Sequence, residues 1–352
     1  MTSFSSSSST AILLCIILNL SLSTITSTHS LITKAAATNT TCSCHHKRHH
    51  RKLTEDYYAK TCPDVEKLVA SITSQHFKAS PSIASATIRL FFHDCFVEGC
   101  DASILITSKP GSKKLVERDA AENKDLPIEA FDAIDKAKAL VESKCPGVVS
   151  CADILSISTR DYVHLAGGPY YEVKKGKWDG KLSRGHLTSS NIPRTNATID
   201  DLLKLFASKG LTTEDLVVLS GAHTIGYSHC KYVIDRMYNH PQPSMDPKLL
   251  GALKMYCPQY GGNEDIVVPF DVDTPFAFDN AYYGNLEKNR GLLSTDQALY
   301  LDPRTKPIVQ SLAKDKQKFF QAFAKAMEKM GNIRVKRGWK HGEKRTHCTS
   351  HK

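Results

Sequence analysis

Residues 84–103 read Ala84-Ser-Ala-Thr-Ile-Arg-Leu-Phe-Phe-His-Asp-Cys-Phe-Val-Glu-Gly-Cys-Asp-Ala-Ser103, and the fold turns on them. On a helix, Arg89 and His93 stand four residues apart and share a face, so a guanidinium and an imidazole are aimed at one point. Asp94 follows the histidine directly, then come Cys95 and Cys100, then Asp101 with Ser103 close behind. An isolated Arg-x-x-x-His is most often a surface arginine beside a core histidine. With two acids, a cysteine pair and a serine in the same string, chemistry is the better reading.

Outward from this stretch, a chain of 352 residues that is 41% apolar can bury one or two sizeable cores. Pro63 ahead of Val65, Leu68, Val69 and Ile72 predicts an amphipathic helix, and Pro81-Ser82 opens the helix of Arg89 and His93. Phe131, Ile134 and Leu140 mark a helix that ends at Cys145-Pro146; the next runs from Ser150 to the Gly167-Gly-Pro stop. Tyr170 to Asp179 alternates and predicts a small β-hairpin. Further helices are expected around Leu202–Phe206 and from Thr212, which Asp215 caps, towards Gly221. Two more cover Asn280–Asn289 and Lys316–Met330, where Phe319, Phe320, Phe323 and Met327 form a core stripe. No repeat or linker interrupts the pattern, so a single all-α catalytic unit with two sub-lobes is expected.

The ends have a different character. Residues 1–29 carry no charge, and Ala11–Leu22 is an apolar run of signal-peptide length, too short to span a bilayer comfortably. We read a cleaved secretory signal over 1–29, with a retained anchor as the alternative, and no other segment long and apolar enough for a membrane. Of eleven cysteines, Cys15 lies in that signal; an even set of ten in an exported chain reads as disulfides, and composition leaves their pairing open. The sequons Asn39-Thr-Thr and Asn196-Ala-Thr suit the same compartment. The net charge of +10 sits at the termini: residues 30–52 hold five Lys or Arg and no acid, and residues 334–352 hold seven against Glu343. Such ends are either merely solvated or retain the protein on an anionic matrix such as an acidic polysaccharide. Nucleic acid is not an expected partner, because no binding motif is present. Within the extension at 30–52, Cys42-Ser-Cys-His-His-Lys-Arg-His-His could take up a soft metal, but Cys-x-Cys is tighter than usual zinc spacing. A disordered basic arm is the expectation.

A second motif, Leu219-Ser-Gly-Ala-His-Thr-Ile-Gly226, places His223 130 residues after His93. Together the two motifs resemble the distal and proximal haem segments of the secretory plant (class III) haem peroxidases, and the resemblance runs from about Leu53 to Cys348. It implies an all-α haem-peroxidase fold over 53–348, with one haem b between distal and proximal helices and a short tail at 349–352. By the same resemblance His93 is the acid–base group, Arg89 stabilises charge on the leaving oxygen, and Asn123 holds His93. His223 becomes the axial ligand and Asp296 its partner, although from the residues alone Asp296 is an ordinary loop acid. Two Ca2+ ions per chain are implied, one at Asp94, Val97, Gly99, Asp101 and Ser103, the other at Thr224, Asp271, Thr274, Ala277 and Asp279. The implied disulfides are Cys62–Cys145, Cys95–Cys100, Cys151–Cys348 and Cys230–Cys257, which leave Cys42 and Cys44 over.

Pro193, after Ile192, falls where the family contacts aromatic donors. The implied reaction is reduction of hydrogen peroxide with one-electron oxidation of small phenols, by a monomer exported to the apoplast or wall rather than the vacuole. Two rivals are a wall-binding or metal-buffering protein that has lost this centre, and an intracellular ascorbate-type relative, which the signal and eight body cysteines oppose. The chain also departs from the family pattern. Gly176-Lys-Trp-Asp179 has Lys177 where arginine is usual, which weakens a contact with Asp153, and Lys344 replaces an apolar residue.

Overall fold

The helices begin and end where Pro, Gly and capping residues impose a break. In the computed structural model, which describes residues 52–238, 245–263 and 265–350, α1 (Val65–Ala79) and α2 (Ile83–Val97) are parted at Pro81. Helix α3 (Ile128–Lys144) starts after Pro127, and α4 (Cys151–Leu165) is capped by Ser150, whose hydroxyl accepts from the Asp153 N–H. Then follow α5 (Thr188–Asn191), α6 (Ile199–Ser208), α7 (Thr213–Ser220), α8 (Ile234–Tyr238) and α9 (Pro247–Tyr256). Capping boxes start α6 at Thr198 with Asp201 and α7 at Thr212 with Asp215. The series ends with α10 (Ala281–Glu287), α11 (Ser294–Leu301), α12 (Lys306–Lys314) and α13 (Lys316–Met330). The signal at 1–29, the Cys/His arm and Asn39 lie outside the described residues. No helix among the described residues is long and apolar enough to cross a membrane.

Helix α2 is apolar on nearly every side, and a helix of that kind belongs in the interior. Twelve of its fifteen residues are buried, and it packs on α3 and α4. The main core gathers α1 to α4 with α6, α7, α10, α12 and α13; Phe319, Phe323 and Met327 supply the stripe of the last helix. A smaller cluster forms around Met237, Leu249, Leu253 and Val268, beside the Cys230–Cys257 bridge. Three other bridges join Cys62 to Cys145, Cys95 to Cys100 and Cys151 to Cys348. The last ties the start of α4 to the C-terminal segment, where the fully buried Arg345 donates to the carbonyls of Cys348 at 2.6 Å and Ala102 at 2.7 Å. Past it, the Thr349 carbonyl accepts from the Thr107 N–H at 2.9 Å.

The expected hairpin at 170–179 does not form. Its residues make single bridges to distant segments, Thr54 with Lys175, Trp178 with Lys336 and Asp179 with Glu343, because the first and last described segments run along this stretch. The two-stranded antiparallel sheet instead pairs β1 (Tyr227–His229) with β2 (Val267–Pro269).

Lys177 and Lys344, the two departures noted in the sequence, meet at one buried acid. Asp153 accepts from the Tyr58 hydroxyl at 2.7 Å and from the N–H groups of Gly176 at 2.7 Å and Lys177 at 3.3 Å. The Lys177 ammonium stands 3.6 Å away and donates to the Lys174 carbonyl instead, so it makes no forked contact with the carboxylate and backbone N–H groups complete the shell. Lys344 donates to the Tyr58 oxygen and the Lys177 carbonyl, with its ammonium over the Trp178 ring.

Candidate active site

Arg89 and His93 line one cavity of about 650 Å³, and His223 and Asp296 line it as well. Its walls between these groups are apolar, from Ile88, Phe92, Leu216, Leu219, Ile225 and Phe270. Helix α2 delivers the first pair, while His223 follows the end of α7 in a tight turn, Gly221–Thr224. That turn leads to Gly226 at φ +98°, where a Cβ would meet the Ser85 side chain at 2.7 Å. Glycine therefore lets the proximal segment lie close against α2.

A chain of three groups decides which nitrogen His93 presents. The Asn123 amide donates from Nδ2 to the Glu117 carbonyl at 2.7 Å, which fixes its orientation and leaves Oδ1 as the acceptor. That oxygen lies 2.6 Å from His93 Nδ1, so Nδ1 carries the proton and Nε2 is left basic. Burial, then the Arg89 charge, pushes the His93 imidazole down to about 3, against the opposing pull of Asn123. The ring is thus neutral at every physiological pH. Arg89 is held from Nη1 by the Asp125 carbonyl at 3.1 Å and stays a cation even though burial lowers its pKa.

His223 also commits Nδ1, here to Asp296 Oδ1 at 2.9 Å, which leaves its Nε2 as the second ring nitrogen. The two histidines differ in the partner behind them. Behind His93 is a neutral amide, whereas behind His223 is a carboxylate, the kind of partner that makes an imidazole a stronger electron donor. Asp296 sits in the first turn of α11, not in a loop, and the Tyr282 hydroxyl donates to its Oδ1 at 2.9 Å. Phe270 stacks on the His223 ring with centroids 4.1 Å apart. Neither Tyr282 nor Phe270 stood out in the sequence, since an aromatic among many aromatics gives no signal until the fold brings it to the histidine.

Other expected residues gather outside the cavity. Asp94 accepts from the N–H groups of Ala102 and Ile104, and Ser103 donates to Glu117 Oε2 at 3.1 Å. Asp94, Asp101 and Glu117 are all buried in this region. Burial and the Asp101 charge raise Asp94 well above the carboxylate range and Glu117 to about 8. The Lys336 ammonium reaches Asp101 at 3.3 Å. Val97 closes α2, and Gly99 follows at φ +106°. Glu117, whose backbone carbonyl orients Asn123, was passed over in the sequence as one acid among several.

The second cluster is built likewise. Thr224 donates to Asp279 Oδ1 at 3.2 Å, and Asp271 accepts from the Thr274 N–H and the Asn285 amide. Ala277 donates its N–H to the Thr274 carbonyl in the same loop. Asn285 Oδ1 is buried without a hydrogen-bond partner, and burial raises Asp271. Among the described residues no three His, Cys, Asp or Glu side chains converge as a metal site. A cation in either place would therefore need hydroxyl and carbonyl oxygens as well, the donor set that calcium accepts.

A flat apolar macrocycle suits the main cavity. The His223 Nε2 is left for it, the walls are apolar, and Ser228, His229 and Lys231 add polar groups that suit carboxylate side chains. Lys231 and Tyr232 both hold Asp125, which the sequence did not single out; Tyr232 donates to its carboxylate, and the Lys231 ammonium lies 2.8 Å from it. Pro193 lines the same cavity.

A family model described as peroxidase matches residues 69–315. Peroxidase 19 of Arabidopsis thaliana is 62% identical over 306 residues, 86% of this chain and 88% of the relative. Peroxidase 41 of the same plant is 46% identical over 84% of this chain and 90% of its own length. A peroxidase of a second plant, Armoracia rusticana, is 41% identical over 84% of this chain and 91% of its own.

Proposed function

The chain belongs to the secretory plant (class III) peroxidase family and is a peroxidase, and on that premise we propose that it oxidises small phenols one electron at a time in the cell wall. The observation that carries the reading is the pair of differently backed histidines facing one apolar cavity. Haem, which supplies redox chemistry with peroxide when bound, would be held by His223; one haem b per chain is our assignment. His93 Nε2 takes the proton from peroxide and returns it to the departing oxygen, which it can do because Asn123 keeps Nδ1–H engaged. Arg89 offsets the negative charge on that oxygen. Asp296 raises the donor strength of His223 and fixes its ring. Phenols enter past Pro193.

We assign residues 53–348 to the catalytic unit, 1–29 to a signal, 30–52 to a basic extension and 349–352 to a tail. Export to the apoplast, a monomeric state and retention on anionic polysaccharide by the basic ends complete the proposal. The test is direct: purified protein loaded with haem should oxidise 2-methoxyphenol only when peroxide is supplied. Loaded protein that leaves the phenol untouched would overturn the reading.

We also assign one calcium to Asp94, Val97, Gly99, Asp101 and Ser103, and a second to Thr224, Asp271, Thr274, Ala277 and Asp279. A divalent cation would keep these buried carboxylates charged, and Asp94 adjoins His93, so calcium also stiffens the distal helix. Chelation should lower the melting temperature. A site held at 100 times its dissociation constant contributes about 2.7 kcal/mol, and calcium but not magnesium should restore it. An unchanged melting curve after chelation, with calcium loss verified by metal analysis, would refute both sites.

A further inference from the structure

The sequon Asn196-Ala-Thr198 lies on the rim of the haem cavity. Asn196 is exposed and lines the cavity three residues beyond Pro193. Its position is fixed from both sides. Ile192 is buried and donates its N–H to the Thr188 carbonyl at 2.8 Å, and Thr198 caps α6 through Asp201. A turn between them is closed by the Ala197 N–H on the Arg194 carbonyl at 3.0 Å. Anything attached to Asn196 is therefore carried at the mouth rather than on a swinging loop. The four disulfides mark an oxidising secretory route, where Asn-x-Thr is modified, and the middle residue is Ala, not Pro.

We propose that Asn196 carries an N-linked oligosaccharide that screens this entrance, admitting peroxide and small phenols while obstructing bulky or polymeric donors. The co-reactant is a polyprenyl-diphosphate-linked oligosaccharide of the secretory route. Asn196 Nδ2 attacks the anomeric carbon and a C–N bond forms as the C–O bond to diphosphate breaks. The diphosphate leaves with the bonding electrons, the amide gives up one proton, and nothing is oxidised or reduced. In the folded protein the Thr198 hydroxyl donates to Asp201 at 2.7 Å, so attachment precedes the closing of the α6 cap. A hydrated, bulky glycan then occupies directions of approach that only large donors need.

The screening claim rests on the cavity being the donor site, and the experiment separates the two. Haem-loaded protein secreted from a glycosylating eukaryotic host is digested, and the Asn196 peptide is weighed before and after enzymatic glycan release in isotopically heavy water. In parallel, kcat/KM is measured for 2-methoxyphenol and for a phenol-bearing soluble polymer, in wild type and Asn196→Gln. We expect a glycan mass on Asn196 and a several-fold rise in the polymer-to-phenol ratio in the variant. An unmodified Asn196 peptide would overturn the proposal, as would a glycan whose loss leaves the ratio unchanged. Protein that oxidises neither donor would defeat the screening claim together with the donor reading, while a glycan mass on Asn196 would still stand on its own.

Discussion

His93→Ala is expected to lower kcat/KM for hydrogen peroxide by about 10²–10⁴-fold, the range for losing a positioned acid–base group, with haem content unchanged. The imidazole is buried, neutral and bonded at Nδ1, so its one remaining function in the cavity is at Nε2. Truncation removes that atom and nothing that binds iron from the other side, since His223 and Asp296 come from α11 and the turn after α7. Its effect should not add to that of replacing Arg89, because both groups act on one oxygen–oxygen bond. Haem absorbance and far-ultraviolet dichroism check that the variant is folded and loaded. A loaded, folded His93→Ala protein with near-normal peroxide kinetics would remove the role given to this residue.

Asp153→Ala should destabilise the fold by about 3–5 kcal/mol, the cost of breaking a buried charge pair from one side. The carboxylate is fully buried and satisfies Tyr58, two backbone N–H groups and the neighbouring Lys177. Burial already lowers the Lys177 pKa, and Asp153 is the chief group holding that lysine charged. Adding Lys177→Met to Asp153→Ala should recover part of the loss, because the unpaired ammonium goes with it. Urea unfolding monitored by dichroism gives both numbers. A single variant within about 1 kcal/mol of wild type would mean that this shell is not the buried network described.

How much could be read in advance depended on whether a signal was local. Helix α2 was legible because its apolar run, the Pro81 that precedes it and the spacing of Arg89 and His93 all lie within residues 81–97. The cap at Thr212 and the Phe319 stripe were legible for the same reason. The misreadings share the opposite cause. Residues 170–179 alternate like a hairpin, but their partners, Thr54, Lys336 and Glu343, lie more than a hundred residues away in sequence. Asp296 read as a loop acid because α11 is eight residues long and has too few turns to show a period. Glu117, Tyr282, Phe270 and Asp125 matter only through convergence on a histidine or an arginine far away in sequence.

The central claim is that a neutral His93, backed by Asn123, moves the proton. Its most direct test is the pH dependence of kcat/KM for peroxide, measured by rapid mixing of enzyme held near neutrality into buffers of falling pH. His93 is active when unprotonated, and its folded-state pKa is about 3, below the ordinary value near 6.5. The rate constant should therefore stay level from pH 7 down to about 4 and fall only as pH approaches 3. A fall centred between pH 6 and 7 would show that the proton-moving group titrates like an exposed histidine, and would contradict the account.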